Sequence, residues 1–162
     1  LERVWLHNAE DGTKNNVSGR QVTISDLSPN YRNDPHADCI QLESTAPDVH
    51  FSWSYFDAHY KNNGGLGNAA VQAKTDFSSN QKVTLEDCYI NGGNYTVFLR
   101  SGNAGGAAKG VFRRCLWGGD ANWGQNGEGL IVDRRKNPAA WPTVVESVSY
   151  KSNAIEWDVT KL

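Results

Sequence analysis

The chain of 162 residues contains no methionine, only three cysteines and five prolines, and no excess of either charge. Each shortage excludes something. Sixteen basic against eighteen acidic side chains give a formal net charge of −2. That is no basis for a nucleic-acid surface, which needs a basic excess. No apolar run approaches the ~20 residues of a spanning helix, so membrane insertion is not expected. The cysteines, at 39, 88 and 115, are odd in number, so at least one is free or pairs outside the chain. Four histidines, at 7, 36, 50 and 59, are scattered, and no Cys/His spacing fits zinc. No metal set and no cofactor is expected; calcium is the one cation that an Asp/Asn loop such as Asp120-Ala-Asn122 could hold. Without a methionine, Leu1 is not a translation start, and no basic-then-apolar leader is visible. The expectation is a processed form, or an ordered piece of something longer. Helical Ala/Leu/Glu/Lys periodicity is scarce too.

What is present favours strand and turn: sixteen Gly, six Trp, six Tyr and much Asn, in a length that suits one domain, residues 1–162. One short alternating run recurs. Asp38-Cys-Ile40-Gln41-Leu42-Glu43 has the same shape as Ala70–Thr75, Thr96–Ser101, Gly129–Arg134 and Ala154–Asp158. An apolar residue at Ile40, Val71, Val97, Leu130 and Ile155 marks the common position, with spacings of 31, 26, 33 and 25. A second series begins Val22-Thr-Ile24 and continues at Val49–Phe56, Val83–Ile90, Gly110–Trp117 and Thr143–Tyr150. Aligned, it places Leu27, Ser54, Cys88, Cys115 and Val148 in one column, 27, 34, 27 and 33 apart. Val4-Trp5-Leu6-His7 reads as one earlier rung. Two or three short strands per ~30 residues fall in the range of solenoids. A propeller blade needs four strands in ~40 residues, and a sandwich shows strands every ~8–12 residues without stacked columns. The expected fold is all-β, a right-handed parallel β-helix of about five coils, possibly a segment of a longer one. Loops at 58–68, 101–109 and 118–127, rich in Gly and Asn, would bulge at its corners. Cys88 and Cys115 would stack on adjacent coils as small apolar side chains.

These phrases carry a resemblance. Val83-Thr-Leu85-Glu-Asp87-Cys88 is similar to rungs of the pectate-lyase-like β-helix group. His36-Ala-Asp38-Cys-Ile40-Gln41 resembles the His-x-Asp-Gly-Ile-Gln phrase of β-helix repeat proteins, including secreted polysaccharide-active and phage tail-associated ones. The resemblance covers about residues 20–158 as pattern, with Cys39 where the phrase has Gly. It implies the fold; the fold itself hosts lyases, hydrolases, isomerases and non-catalytic adhesins. The catalytic phrases of the group's enzymes are absent: Arg135-Lys-Asn-Pro138 has the Pro of the lyase Arg-x-Pro-x-x-Arg but no second Arg, and Asp38 stands alone where the glycosidases pair two Asp. The fibres among these proteins imply a homotrimer or larger assembly, located outside the cell or on a virion or cell surface.

Candidate sites follow from register. Outward columns would be Gln41, Gln72, Phe98, Ile131 and Glu156, and then Glu43, Lys74, Arg100, Asp133 and Asp158. As function, the second is a polysaccharide groove; as structure, it is a solvated face of cross-rung ion pairs worth about 0–1 kcal/mol each. His36 and Asp38 could form an acid/base pair at a corner or simply bond the local backbone. The resemblance implies that a lyase would use Lys74, Arg100 or Arg134 beside His36. Trp123 and Trp141, in corner loops, are the aromatic anchors expected to meet sugar rings, or else caps on a flank. Asn16-Val-Ser18 and Asn94-Tyr-Thr96 match the glycosylation sequon. The function expected first is a non-catalytic module that recognises a polysaccharide or cell-surface glycan, through Gln41, Glu43, Gln72, Trp123, Asp133 and Trp141. The alternatives are a polysaccharide-degrading enzyme, a lyase rather than a glycoside hydrolase, and a purely structural segment of an extracellular assembly.

Overall fold

A computed structural model describes residues 1–28, 36–43, 48–62, 65–74, 81–100, 108–118, 120–122, 130–133, 143–151 and 157–160. For Arg100, Lys109, Trp117 and everything from residue 130 on, only the backbone enters the description. The described residues are all-β, and no helix among them is long and apolar enough to cross a membrane. The strands are β1 Trp5–Leu6, β2 Thr13–Lys14, β3 Gly19–Arg20, β4 Thr23–Ile24, β5 Asp38–Leu42, β6 Val49–Ser52, β7 Tyr55–Ala58, β8 Ala69–Lys74, β9 Gln81–Glu86, β10 Tyr89–Gly92, β11 Tyr95–Arg100, β12 Ala108–Trp117, β13 Leu130–Asp133, β14 Thr143–Lys151 and β15 Trp157–Thr160.

Pairing follows one rule through most of the chain. Each strand bonds in parallel to the strand three places on. The orders are β1-β4-β7-β10, β3-β6-β9-β12 and β2-β5-β8-β11, with β13 extending the last. The first two paths fuse because β12 is long: Ala108–Arg113 lies on β9, while Leu116 and Trp117 lie on β10. The result is a ten-stranded sheet beside a five-stranded one. Alternation builds each strand. In β9, Val83 and Leu85 are buried while Lys82, Thr84 and Glu86 are partly exposed, the pattern of a strand with one wet face. Phe51, Phe56 and Phe112 fill the interior, with Phe51 and Phe56 edge to face at 5.3 Å. Burying each such ring is worth roughly 1.5–3 kcal/mol.

The first expected column holds over four strands. Ile40 pairs with Val71, Val71 with Val97 and Val97 with Leu130. The fifth run does not continue it. Asp158 pairs antiparallel with Ser149 of β14, so β15 turns back on the other sheet and Asp158 leaves the Glu43 column. Ile155 and Glu156 lie outside the described residues.

The second expected column needs one correction at each end. Thr23 and Ile24 pair with Tyr55 and Phe56, so Val22, not Leu27, lies level with Ser54. Leu27 instead bridges Tyr60. At the other end Cys115 pairs with Ser149, one residue past Val148, because β14 already enters the ladder one residue out of the expected alignment, with Gly110 on Val144. The physical marker of this corner is a single left-handed residue. Arg3, Gln21, Trp53, Asp87 and Arg114 all have φ between 52° and 55°, and each opens the same bend. Non-glycine residues enter that region at about 1–2 kcal/mol each. Here the bend is held by bonds to the neighbouring strand: Gln21 N–H to Ser52 O, Trp53 N–H to Glu86 O, Asp87 N–H to Arg113 O. Arg114 clamps Asp87 across the bend with two bonds, at 2.6 and 2.8 Å. Behind it Cys88 and Cys115 are buried free thiols, as expected, and Cys39 is a third.

Candidate functional site

The corner decides what faces water. Two residues past each left-handed position the chain re-enters a strand with its side chain outward. Those residues are Trp5, Thr23, Tyr55, Tyr89 and Leu116, held in one register by the parallel pairs of β1, β4, β7, β10 and β12. The next residue of each is the inward Leu6, Ile24, Phe56 or Ile90. The outward row is largely uncovered. Trp5 is 58% exposed and Tyr55 39%, and Leu116 is likewise exposed. Tyr55 and Tyr89 stack at 4.7 Å with planes 12° apart. Trp5 lies on His7 at 4.4 Å, and its indole N–H donates to Ser25 Oγ.

A polar row runs alongside. Asp57 and Asn91 are register partners two residues further on. Asp57 accepts from Tyr55 Oη at 3.1 Å and makes a short contact with His59 Nδ1. Asn91 Nδ2 donates to Asp120 Oδ2 at 3.1 Å and reaches Asp57 Oδ1 at 3.4 Å, bridging the two carboxylates. His59 Nε2 stands 3.9 Å from Asp120. Gly118 leaves room for this bridge, because a Cβ there would sit 1.9 Å from Asn91 Oδ1. Burial, then the Asp57 carboxylate, pushes the phenols of both Tyr55 and Tyr89 above their ordinary titration range, so they stay protonated.

The residues expected from sequence lie elsewhere, on the five-stranded sheet. Glu43, Lys74, Arg100 and Asp133 do share one stripe: Arg100 pairs with Lys74 and with Asp133, and Lys74 Nζ binds Glu43 Oε1 at 2.8 Å. Gln41 and Gln72 pair as expected but are 7% and 2% exposed, because this sheet is covered on both faces. Every residue of β5 is buried, and all of β8 but Lys74. Their Oε1 atoms have no partner among the described residues. His36 and Asp38 part company. His36 is exposed, while Asp38 is fully buried and accepts from Asn68 Nδ2 at 3.0 Å and Gln41 Nε2 at 3.2 Å. Burial pushes the Asp38 carboxyl well above the usual range. Arg134, Trp123 and Trp141 lie outside the described residues. Among the described residues no three His, Cys, Asp or Glu side chains are grouped to hold a metal ion.

Comparison with known proteins adds no name. No family model matches the chain, and no curated protein or solved structure matches it.

The aromatic row was not singled out from sequence, although its mark is there. Glu2-Arg3-Val4-Trp5-Leu6, Ser52-Trp53-Ser54-Tyr55-Phe56 and Glu86-Asp87-Cys88-Tyr89-Ile90 repeat one phrase, with the aromatic always two past the bend.

Proposed function

We propose that the protein is a right-handed parallel β-helix whose exposed aromatic row binds a carbohydrate chain without cleaving it. The three-strand offset of the parallel pairs supports the solenoid: strands recurring in threes, each on its predecessor, describe successive coils. One observation carries the function. Exposed Trp5, Tyr55 and Leu116 stand in one register with half-buried Thr23 and Tyr89 between them, and a polar row runs beside them. Exposed aromatic faces suit the apolar C–H patches of pyranose rings, and the neighbouring carboxylates, held in place by buried Asn91, take their hydroxyls. Successive rungs lie about 4.8 Å apart, a spacing on the scale of one sugar unit. The glycan would be extracellular or on a cell surface, met by a homotrimer or a larger assembly.

A second reading, a polysaccharide-degrading enzyme, moves to other residues. His59, oriented by Asp57 and facing Asp120, has the arrangement of a general base. Lys74, expected in that role, is committed to Glu43.

Affinity electrophoresis through gels cast with neutral, acidic and cationic polysaccharides tests the proposal, alongside assays for reducing ends and for unsaturated products. The expected result is retardation by at least one polymer, weakened about tenfold or more in Tyr55→Ala and Tyr89→Ala, with no product. Release of product that stops in His59→Ala would replace binding with catalysis. No retardation by any polymer would refute both.

A further inference from the structure

We infer that the sugar this row selects is cationic, a glycan bearing free amino groups; this rests on the proposed binding reading and deepens it. The charge on the face is one-sided. Asp26, Asp57 and Asp120 stand along it; the electrostatic neighbours that act on Tyr55 include Asp57 and Asp26, and those on Tyr89 are Asp57 and Asp120. The outward residues of the strands, Trp5, Thr23, Tyr55, Asp57, Tyr89 and Leu116, include no lysine or arginine. The arginines nearest in sequence are turned to the bend: Arg3 Nε donates to Gln21, and Arg114 is held by Asp87. His59 contributes one positive charge at most against the two carboxylates it touches.

A uronate chain on this face would set its carboxylates against Asp57 and Asp120, with only His59 and, beyond the strand, the exposed Lys61 to compensate among the described residues of β7 and its continuation. That is the opposite of the basic surface an acidic polymer needs. An ammonium group finds complementary partners. Asp120 is 64% exposed at its side chain; its Oδ2 accepts from Asn91 Nδ2 at 3.1 Å and lies 3.9 Å from His59 Nε2, beyond hydrogen-bond reach. A ring stacked on Tyr55 or Tyr89 would bring a ring substituent over the polar row, and a charged amine there adds a cation–π term to the stack.

The test uses short β-linked oligomers of glucosamine and of N-acetylglucosamine, and α-linked oligogalacturonate, at mildly acid pH, with affinities measured by calorimetry at low and high salt. The glucosamine oligomer is expected to bind tightest and to lose affinity as salt rises, since screening acts on exposed charge pairs. Asp120→Asn should weaken it about two- to fivefold, and Asp57→Asn with Asp120→Asn about tenfold or more, with little effect on the N-acetylated oligomer. Asp120→Asn guards against misfolding, because its carboxylate is exposed while Asp57 holds Tyr55 and His59. Equal or tighter binding of the N-acetylated oligomer, or preference for galacturonate, would overturn the charge inference and leave the binding reading standing. Binding of none of the three, with retardation by some other polymer, would overturn only the inference. No binding to any glycan would overturn both.

Discussion

Two outward rows, built by the same geometry, meet opposite fates. On the five-stranded sheet the row runs Gln41, Gln72, Phe98, and its amides are buried. On the sheet of β1, β4, β7 and β10 the row runs Trp5, Thr23, Tyr55, Tyr89, with Trp5 and Tyr55 exposed and Thr23 and Tyr89 half-buried. Polarity is thus inverted with respect to exposure. Burying an amide without a partner costs about 1–3 kcal/mol, and leaving a Tyr or Trp face wet forgoes the gain of burying it. The comparison teaches that register assigns a side chain to a face, while only the packing of the rest of the chain decides whether that face is surface. It also underlies the proposed binding site, because exposed rings contribute little to the fold that carries them.

The largest expected effect sharpens the contrast in stability. Leu99→Ala, in the buried interior of the five-stranded sheet, should cost about 2–5 kcal/mol. Tyr89→Ala should cost no more than about 1.5 kcal/mol, the worth of its stack on Tyr55. Urea unfolding of the two variants checks the difference. Equal losses would make the exposed row a structural element and dissolve the comparison.

A smaller effect comes from Asp38. Its carboxyl titrates higher in the folded chain than in the unfolded one, so between those two values the folded state holds more protons. Stability therefore falls as pH rises from about 4, the unfolded value, through the raised folded one. Asp38→Asn removes this dependence. Asn68 can still donate to the introduced carbonyl, and the unpartnered Gln41 Oε1 can accept from the introduced amide once the Gln41 side chain turns over. At pH about 4 the variant should match the parent within about 1 kcal/mol, and at pH 7 it should be the more stable. A variant that loses stability at pH 7 would show that Asp38 is held ionised.

Much of this was legible before any coordinates. Strict alternation with β-branched and aliphatic residues at Ile40, Val71 and Val97 placed one column correctly, because a slip of one residue would expose all of them. The stripe of Glu43, Lys74, Arg100 and Asp133 followed from it. The second series failed where two bends look alike. Gln21 and Asp26 both adopt the left-handed region, and Val22-Thr-Ile24-Ser-Asp26 imitates Val83-Thr-Leu85-Glu-Asp87. An aspartate is the more familiar occupant of such a position, so it drew the alignment five residues out of place. The burial of Gln41 and Gln72 was not legible, since nothing in a local pattern says what packs over a sheet. Nor was the Asp57–Asn91–Asp120 bridge, which joins residues 34 and 29 positions apart and depends on the absent side chain of Gly118.

The central claim is that ligand meets the exposed aromatic row and not the buried amide row. Backbone amide NMR during titration with the glucosamine oligomer tests it most directly. The account predicts that the resonances of Trp5, Tyr55, Asp57, Tyr89, Asn91 and Asp120 move together with one affinity, while those of Gln41, Gln72 and Lys74 stay in place. Movement centred on Gln41, Gln72 and Lys74, with the aromatic row unchanged, would contradict it.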